Sequence, residues 1–266
     1  MALNIAVLVK ASIDPNMMRT DPSGRILLEE MPIAISEYDK NAIEAAVQLK
    51  EKHGGKVVIF SALTWHPLEK RRKEFEQVIR EALAMGGDEA HVIVDEKLIP
   101  GDPHSTSKAL AALIKKLGDF DIIITGEASM DMVSSQIAAR IAELLGIPAI
   151  TFVRSIELTS DGIKAVRDLE DRLETVEAKT PVVISVTGEI NKPRIPTLLQ
   201  IRRAFAKPLK TYTLADLGIT IERKMNMESI EAIVVKRKNI VYEGDNLEEI
   251  AEKIVSHLIE EGILRV

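Results

Sequence analysis

From Thr125 to Ile137 the chain reads TGEASMDMVSSQI, a run of small and hydroxyl-bearing residues that follows directly on Ile122, Ile123 and Ile124. Those residue types in that order suit one kind of chemistry, the holding of an anion or nucleotide. A glycine lets the backbone approach closely, and the unpaired N–H groups of a helix start present the positive end of the helix dipole. Gly126, Ala128, Ser129, Asp131, Ser134 and Ser135 are the candidates. The run matches neither G-x-x-x-x-G-K-[ST] nor G-x-G-x-x-G. Residue types alone therefore leave a plainer reading open, in which Gly126 permits a tight turn and Ser134 or Ser135 is an N-cap.

The remaining composition narrows the chemistry further. Cysteine is absent, which excludes disulfides, a thiol nucleophile and cysteine-ligated iron–sulfur clusters. A redox role would need a bound organic cofactor. His53, His66, His91, His104 and His257 form no H-E-x-x-H spacing and read as surface or lightly packed residues. No Ser-His-Asp or paired-carboxylate arrangement stands out. A net charge of −6 over 266 residues argues against binding a nucleic-acid backbone. No apolar run reaches the roughly 18 to 20 residues of a membrane span. The start, MALNIAVLVK, has neither a basic segment before its apolar run nor a small-residue cleavage site, and the expectation is a cytoplasmic protein.

Elements that would position these residues alternate along the chain. Asn4–Lys10 reads as a strand, and Ala11–Pro32 as a turn-rich loop with room for a small hairpin. A helix opens at Ser36, with Ala42, Ile43, Ala46, Val47 and Leu49 on one face, and Gly54-Gly55 ends it. Strands follow at Lys56–Ser61 and Ala90–Asp95. Between them a helix over about 68–85 carries Lys70, Arg71, Arg72 and Lys73 on what reads as a solvated face. Ser105 or Thr106 is expected to cap the next helix. After the Ile122–Ile124 strand comes a helix with Ile137, Ile141, Leu144 and Leu145 on one side, stopped by Gly146 and Pro148. This alternation predicts an α/β fold with a doubly wound, mostly parallel sheet. Past Pro148 three antiparallel strands are expected over 149–178, then a buried run at Val182–Thr187. A Pro-stiffened loop follows at Asn191–Thr197, then a short helix to Phe205, a strand at Ile230–Lys236 and a final helix from Leu247 to Gly262.

Several segments in this order and spacing, REALAMGGDEA, YDKNAIEAAVQLKE, ITGEASMD…AELLGIP and NKPRIPTL above all, resemble the β subunit of the electron-transfer flavoproteins over nearly the whole length. The resemblance implies a Rossmann-like domain at 1–213, including a recognition loop at 190–200. It also implies a C-terminal arm at 214–266 that packs on a partner α subunit holding its own FAD. The β subunit itself would hold AMP, or in electron-bifurcating members a second FAD that takes a hydride from NADH.

By position, the nucleotide would be lined by Leu8, Lys10, Ser36, Tyr38, Asp39, Ser61 and Ala62, and by Thr125, Gly126, Glu127, Ala128, Ser129, Met130, Asp131, Ser134, Ser135, Gln136 and Ile137. Pro193, Arg194, Ile195, Pro196, Thr197 and Leu198 would match the partner-recognition loop, with Leu198 as its apolar anchor. Electron partners would be an acyl-CoA-type dehydrogenase, a quinone oxidoreductase or ferredoxin. Two stretches, Arg167-Asp168-Leu169-Glu170-Asp171 and Tyr38-Asp39, are more similar to the bifurcating branch and favour FAD, the plainer view of the first being a charged sheet edge that discourages pairing. Relatives commonly carry a further acidic residue where Met132 and Val133 stand, and Asn-Pro where Ser36-Glu37 stands. A stand-alone universal-stress-type nucleotide module is the alternative, although it would leave the recognition loop and tail without a purpose.

Overall fold

The valine- and isoleucine-rich runs form the centre of one sheet. Strands β1 (Leu3–Leu8), β2 (Ala11–Ile13) and β3 (Ile33–Ile35) lead into α1 (Glu37–His53). Then come β4 (Gly55–Leu63), α2 (Leu68–Met85), β5 (Glu89–Val94), α3 (Pro103–Leu117), β6 (Ile122–Gly126) and α4 (Ile137–Leu145). The rest is β7 (Ala149–Leu158), β8 (Gly162–Leu169), β9 (Arg172–Lys179), β10 (Val182–Val186), α5 (Leu198–Ala204), β11 (Leu209–Tyr212) and α6 (Leu247–Glu260). This computed structural model describes residues 2–232 and 238–265. They fall into two compact units, Met1–Glu231 and Ala232–Val266.

In the first unit the strand order is β11-β5-β4-β1-β6-β10-β7-β8-β9. Neighbours from β11 to β7 run parallel, and β8 and β9 are added antiparallel. Side chains of one strand point to opposite faces in turn. Ile5, Val7, Val57, Ile59, Ile122 and Ile124 join one buried cluster, together with residues of α1 and α2. Ala6, Val58, Phe60 and Ile123 join the other, with residues of α3 and α4. Burial on both faces explains why these strands are apolar throughout rather than alternating.

Several expectations need correction. Arg71 is 1% exposed, not solvated. Its Nη1 donates to the Met31 carbonyl at 2.7 Å and its Nη2 to the Leu28 carbonyl at 2.5 Å, pinning the long excursion between β2 and β3 onto α2. Carbonyls of an irregular segment folded over a helix need such donors. Asp102, not Ser105 or Thr106, caps α3, its carboxylate accepting from the Ser105 N–H at 3.1 Å, with Pro103 at the first helical position. Edge strand β11 was not anticipated. His91 is buried, with its ring stacked on Phe60. The strand expected at Ile230–Lys236 lies mostly outside the described residues. In the second unit α6 is capped by Asn246, which accepts from the Glu248 N–H at 3.1 Å. Among the described residues no helix is long and apolar enough to cross a membrane.

Candidate functional site

The chain runs outward from β1 to β4 and β5, then returns to the other side of β1 for β6. Loops leaving β1 and β6 therefore part at their carboxyl ends, the place where open α/β sheets bind ligands. A cleft of ≈ 340 Å³ lies there. Its walls are Leu8, Val9 and Lys10 at the end of β1, Ala62 and Thr64 at β4, Ile99–Pro103, Thr106 and Leu110 before and within α3, and the loop after β6, with Met225 beside them.

Asp39, in the first turn of α1, sets the geometry. Its carboxylate accepts the Lys10 N–H at 2.7 Å and the Gly126 N–H at 3.2 Å, tying together the ends of β1 and β6. Burial pushes this carboxyl up to about 7, against the pull of those two N–H donors and of Lys10. The same contact explains Gly126. A Cβ there would sit 2.6 Å from Asp39 Oδ1 and 2.7 Å from Tyr38 Cβ, so the glycine serves close approach to α1 rather than a tight turn.

A second group of residues holds the loop from behind. Lys10 Nζ donates to Asp131 at 2.6 Å and to Ser129 Oγ at 3.2 Å. Asp131 also accepts from Trp65 Nε1 at 2.9 Å, and Ser36 Oγ accepts from the Met130 N–H at 3.1 Å.

The loop leaves through two left-handed residues, Val133 at φ 46° and Ser135 at φ 52°. Non-glycine residues adopt that conformation at a cost. Neither serine caps α4, because Gln136 occupies the N-cap and makes no side-chain capping bond. The first-turn N–H groups of α4 are thus left without an internal side-chain acceptor. In the opposite wall Thr64 is 5% exposed, and its Oγ1 has no hydrogen-bond partner. Such a buried hydroxyl is costly unless something pairs with it.

Of the residues expected to line a nucleotide, the cleft brings together Leu8, Lys10, Asp39, Ala62, Thr125, Gly126, Glu127, Ala128, Ser129, Ser134, Ser135, Gln136 and Ile137. Ser36, Tyr38, Met130 and Asp131 do not line the cleft, and Ser61 is buried with its hydroxyl unpaired. Unexpected from residue types are Val9, Thr64, Leu110, Met132 and Met225, and the wall made by Ile99–Pro103 with Thr106. Ile-Pro-Gly-Asp-Pro carries no ligand chemistry of its own, and only the parallel register of β5 would have placed it on this edge.

Glu127 is raised by burial, and the nearby Glu189 and Asp168 add to it. Asp168 itself pairs with Arg154 at 2.8 Å and Glu174 with Arg167 at 2.7 Å. Asp168 and Asp171 thus each have an arginine partner, and no residue of the stretch 167–171 lines the cleft.

The loop after β10 is built differently. Asn41 Nδ2 donates to the Asn191 carbonyl at 2.9 Å, and Asn191 Nδ2 returns a bond to the Asn41 carbonyl at 3.0 Å. Arg194 grips Glu44 through Nε at 2.7 Å and Glu51 through Nη1 at 2.6 Å. Thr197 and Gln200 form a capping box at the start of α5. Ile195 is 91% and Leu198 81% exposed, so Leu198 does not pack on its own domain.

A family model for the electron transfer flavoprotein domain matches residues 25–217. The chain is 35% identical to the electron transfer flavoprotein subunit beta of Thermoanaerobacterium thermosaccharolyticum, over 96% of this chain and 98% of that protein. It is 36% identical to the Clostridium acetobutylicum protein of the same name, over 82% of this chain and 81% of that one.

Proposed function

This chain belongs to the electron transfer flavoprotein family, and from that premise we propose that it is the β subunit of a heterodimeric electron carrier, holding an FAD at the switch-point cleft. The carrying observation is the cleft itself, which is lined both by residues at the uncapped start of α4 and by Thr64, whose buried hydroxyl is unpaired. Those groups fit a phosphate-bearing adenine nucleotide. The α4 N–H groups, Ser134, Ser135 and Gln136 would hold phosphate, and Leu8, Leu110 and Ile137 supply apolar cover. The redox chemistry would be the flavin's, taking a hydride from NADH and releasing single electrons toward the FAD of an α subunit. The protein's own part is to bind, to orient and to exclude water.

Lys10 has a further role. Its ammonium, paired with Asp131 behind the loop, would keep the loop in shape for an incoming phosphate rather than meet the phosphate itself. The segment 193–198 would meet the redox partner, an acyl-CoA-type dehydrogenase, a quinone oxidoreductase or ferredoxin.

AMP is the second reading, favoured by size, because ≈ 340 Å³ sits at the small end of the roughly 300–1,000 Å³ of ligand pockets. Acid release and counting of nucleotides on the copurified heterodimer separates the two. Two FAD per heterodimer and no AMP is the expected result. One FAD with one AMP makes this subunit a structural nucleotide binder and docking platform.

A further inference from the structure

We propose that the seam between the last turns of α1 and the second half of β7 binds a short-chain carboxylate, its head meeting Arg154, Lys52 and His53 and its hydrocarbon tail lying on the apolar side chains beside them. The site shares no residue with the switch-point cleft and does not rest on the nucleotide reading.

A cavity of ≈ 250 Å³ opens along this seam. Its carbon comes from Leu49, which is buried in the core, and from Ile156, Leu158 and Ile190, which pack against that core while staying partly exposed. Its cations come from both sides, Lys52 and His53 from the end of α1 and Arg154 from β7. No lining residue is acidic, in a chain of net charge −6.

The helix dipole accounts for basic residues at the end of α1, but it does not leave them unpaired. Lys50, in the same turn, is held by Asp88 at 2.6 Å, whereas Lys52 and His53 have no acidic partner among the described residues. Arg154 belongs to a strand and owes nothing to the dipole. Its Nη1 donates to Asp168 at 2.8 Å, which fixes the guanidinium, while Nε and Nη2 find no acceptor among the described residues. An arginine held in this way offers its Nε–Nη2 edge to a carboxylate through two parallel bonds and gives up little rotamer freedom in doing so. Asp168 offsets part of its charge, and Lys52, with His53 when protonated, supplies the excess. Volume sets the size of the guest. The cavity is larger than the roughly 150 Å³ that holds a benzene and smaller than the roughly 300 Å³ at which drug-sized pockets begin, which suits a head group with a few methylenes. Inorganic phosphate would gain nothing from the carbon, and an amine would meet like charge.

The experiment is a titration of the copurified complex with hexanoate, followed through the methyl resonances of Ile156, Leu158 and Ile190 in methyl-labelled protein. Saturable shifts at those methyls, with a Kd on the order of 1 mM, are the expected result. Butyrate, two methylenes shorter, should bind about tenfold more weakly, and neither hexylamine nor inorganic phosphate should reproduce the shifts. Arg154→Gln should weaken hexanoate about tenfold. Lys52→Glu changes an exposed side chain on which folding does not depend, and it should weaken hexanoate about fivefold by setting a like charge at the rim. Nucleotide content should stay unchanged in both variants, since neither residue lines the switch-point cleft. Shifts that do not saturate at concentrations about thirtyfold above the expected Kd overturn the site. Equal affinity for butyrate and hexanoate, or equal shifts from phosphate, overturns the carboxylate-with-tail assignment by making the seam a general anion surface. Undiminished hexanoate binding in both Arg154→Gln and Lys52→Glu overturns it as well.

Discussion

The loops that leave β6 and β10 start from adjacent parallel strands, yet they treat their polar groups in opposite ways. The loop after β6 pairs its first half through Lys10, Trp65 and Ser36 but leaves the half that enters α4 open. It passes through two left-handed residues, enters α4 without a side-chain cap and shares its cleft with Thr64, whose hydroxyl is unpaired. The loop after β10 pairs its own, through Asn41 with Asn191, Arg194 with two glutamates and a capping box at Thr197, and leaves carbon exposed instead. A segment that must receive a ligand keeps donors unspent and bears the cost in strain and unmet hydrogen bonds. A segment that must keep its shape spends its donors internally.

The largest expected effect comes from removing the clearance that the first loop depends on. Gly126→Ala places a methyl 2.6 Å from Asp39 Oδ1 and 2.8 Å from the Tyr38 backbone carbon. The first turn of α1 must then move away from β6, losing the tie through Asp39. A cost of about 3 kcal/mol follows from overpacking and the lost buried hydrogen bonds, read as a lower denaturant midpoint together with loss of bound nucleotide. Full nucleotide occupancy at an unchanged midpoint would show that the close approach is not needed.

pH separates the two loops by sign. Asp39 has a folded value of about 7, above its ordinary 3.8. Its contribution is therefore fully present below about 4 and is lost as pH rises through 7. Glu44 behaves oppositely. Burial would raise it, but hydrogen bonds from Arg194 and Gln48 outweigh burial and hold it below its ordinary range. Its contribution is present above pH 4.5 and fades only as pH falls through the lowered folded value. Between pH 5 and 8 the nucleotide-free protein should lose on the order of 2 kcal/mol from Asp39 alone. Denaturant midpoints across that range should slope downward in the wild type and flatten in Asp39→Asn. Parallel slopes in the two proteins would remove Asp39 as the titrating group.

Much of the fold was legible because its parallel strands are buried on both faces and are apolar along most of their length, as Ile122–Ile124 and Val182–Ile184 are. Helix ends were legible where glycine marks them, as at Gly54 and Gly146. What escaped notice depends on packing that no local pattern encodes. Arg71 sits in a run of basic residues and is buried only because a distant irregular segment folds over it. Strand β11 is four residues long, follows a proline and pairs on one side alone with β5. At the site, the glycine and hydroxyls after β6 were visible as types, whereas the wall made by Ile99–Pro103 with Thr106 becomes part of the site only through the parallel alignment of β5 beside β4.

The smallest effect is the most discriminating, because its sign should differ between free and bound protein. Thr64→Val replaces a hydroxyl by a methyl of nearly equal size in the wall of the cleft. In the nucleotide-free protein the hydroxyl is buried and unpaired, so its removal should be neutral or stabilising by up to about 1 kcal/mol. Once nucleotide is bound, that same hydroxyl has a partner to lose, and affinity should fall by about tenfold. Melting of the nucleotide-stripped and reloaded heterodimer reads both quantities from one preparation. A variant destabilised equally in both states would mean that Thr64 is met by an internal partner such as an ordered water, and the contrast between an open loop and a closed one would then rest on the uncapped start of α4 alone.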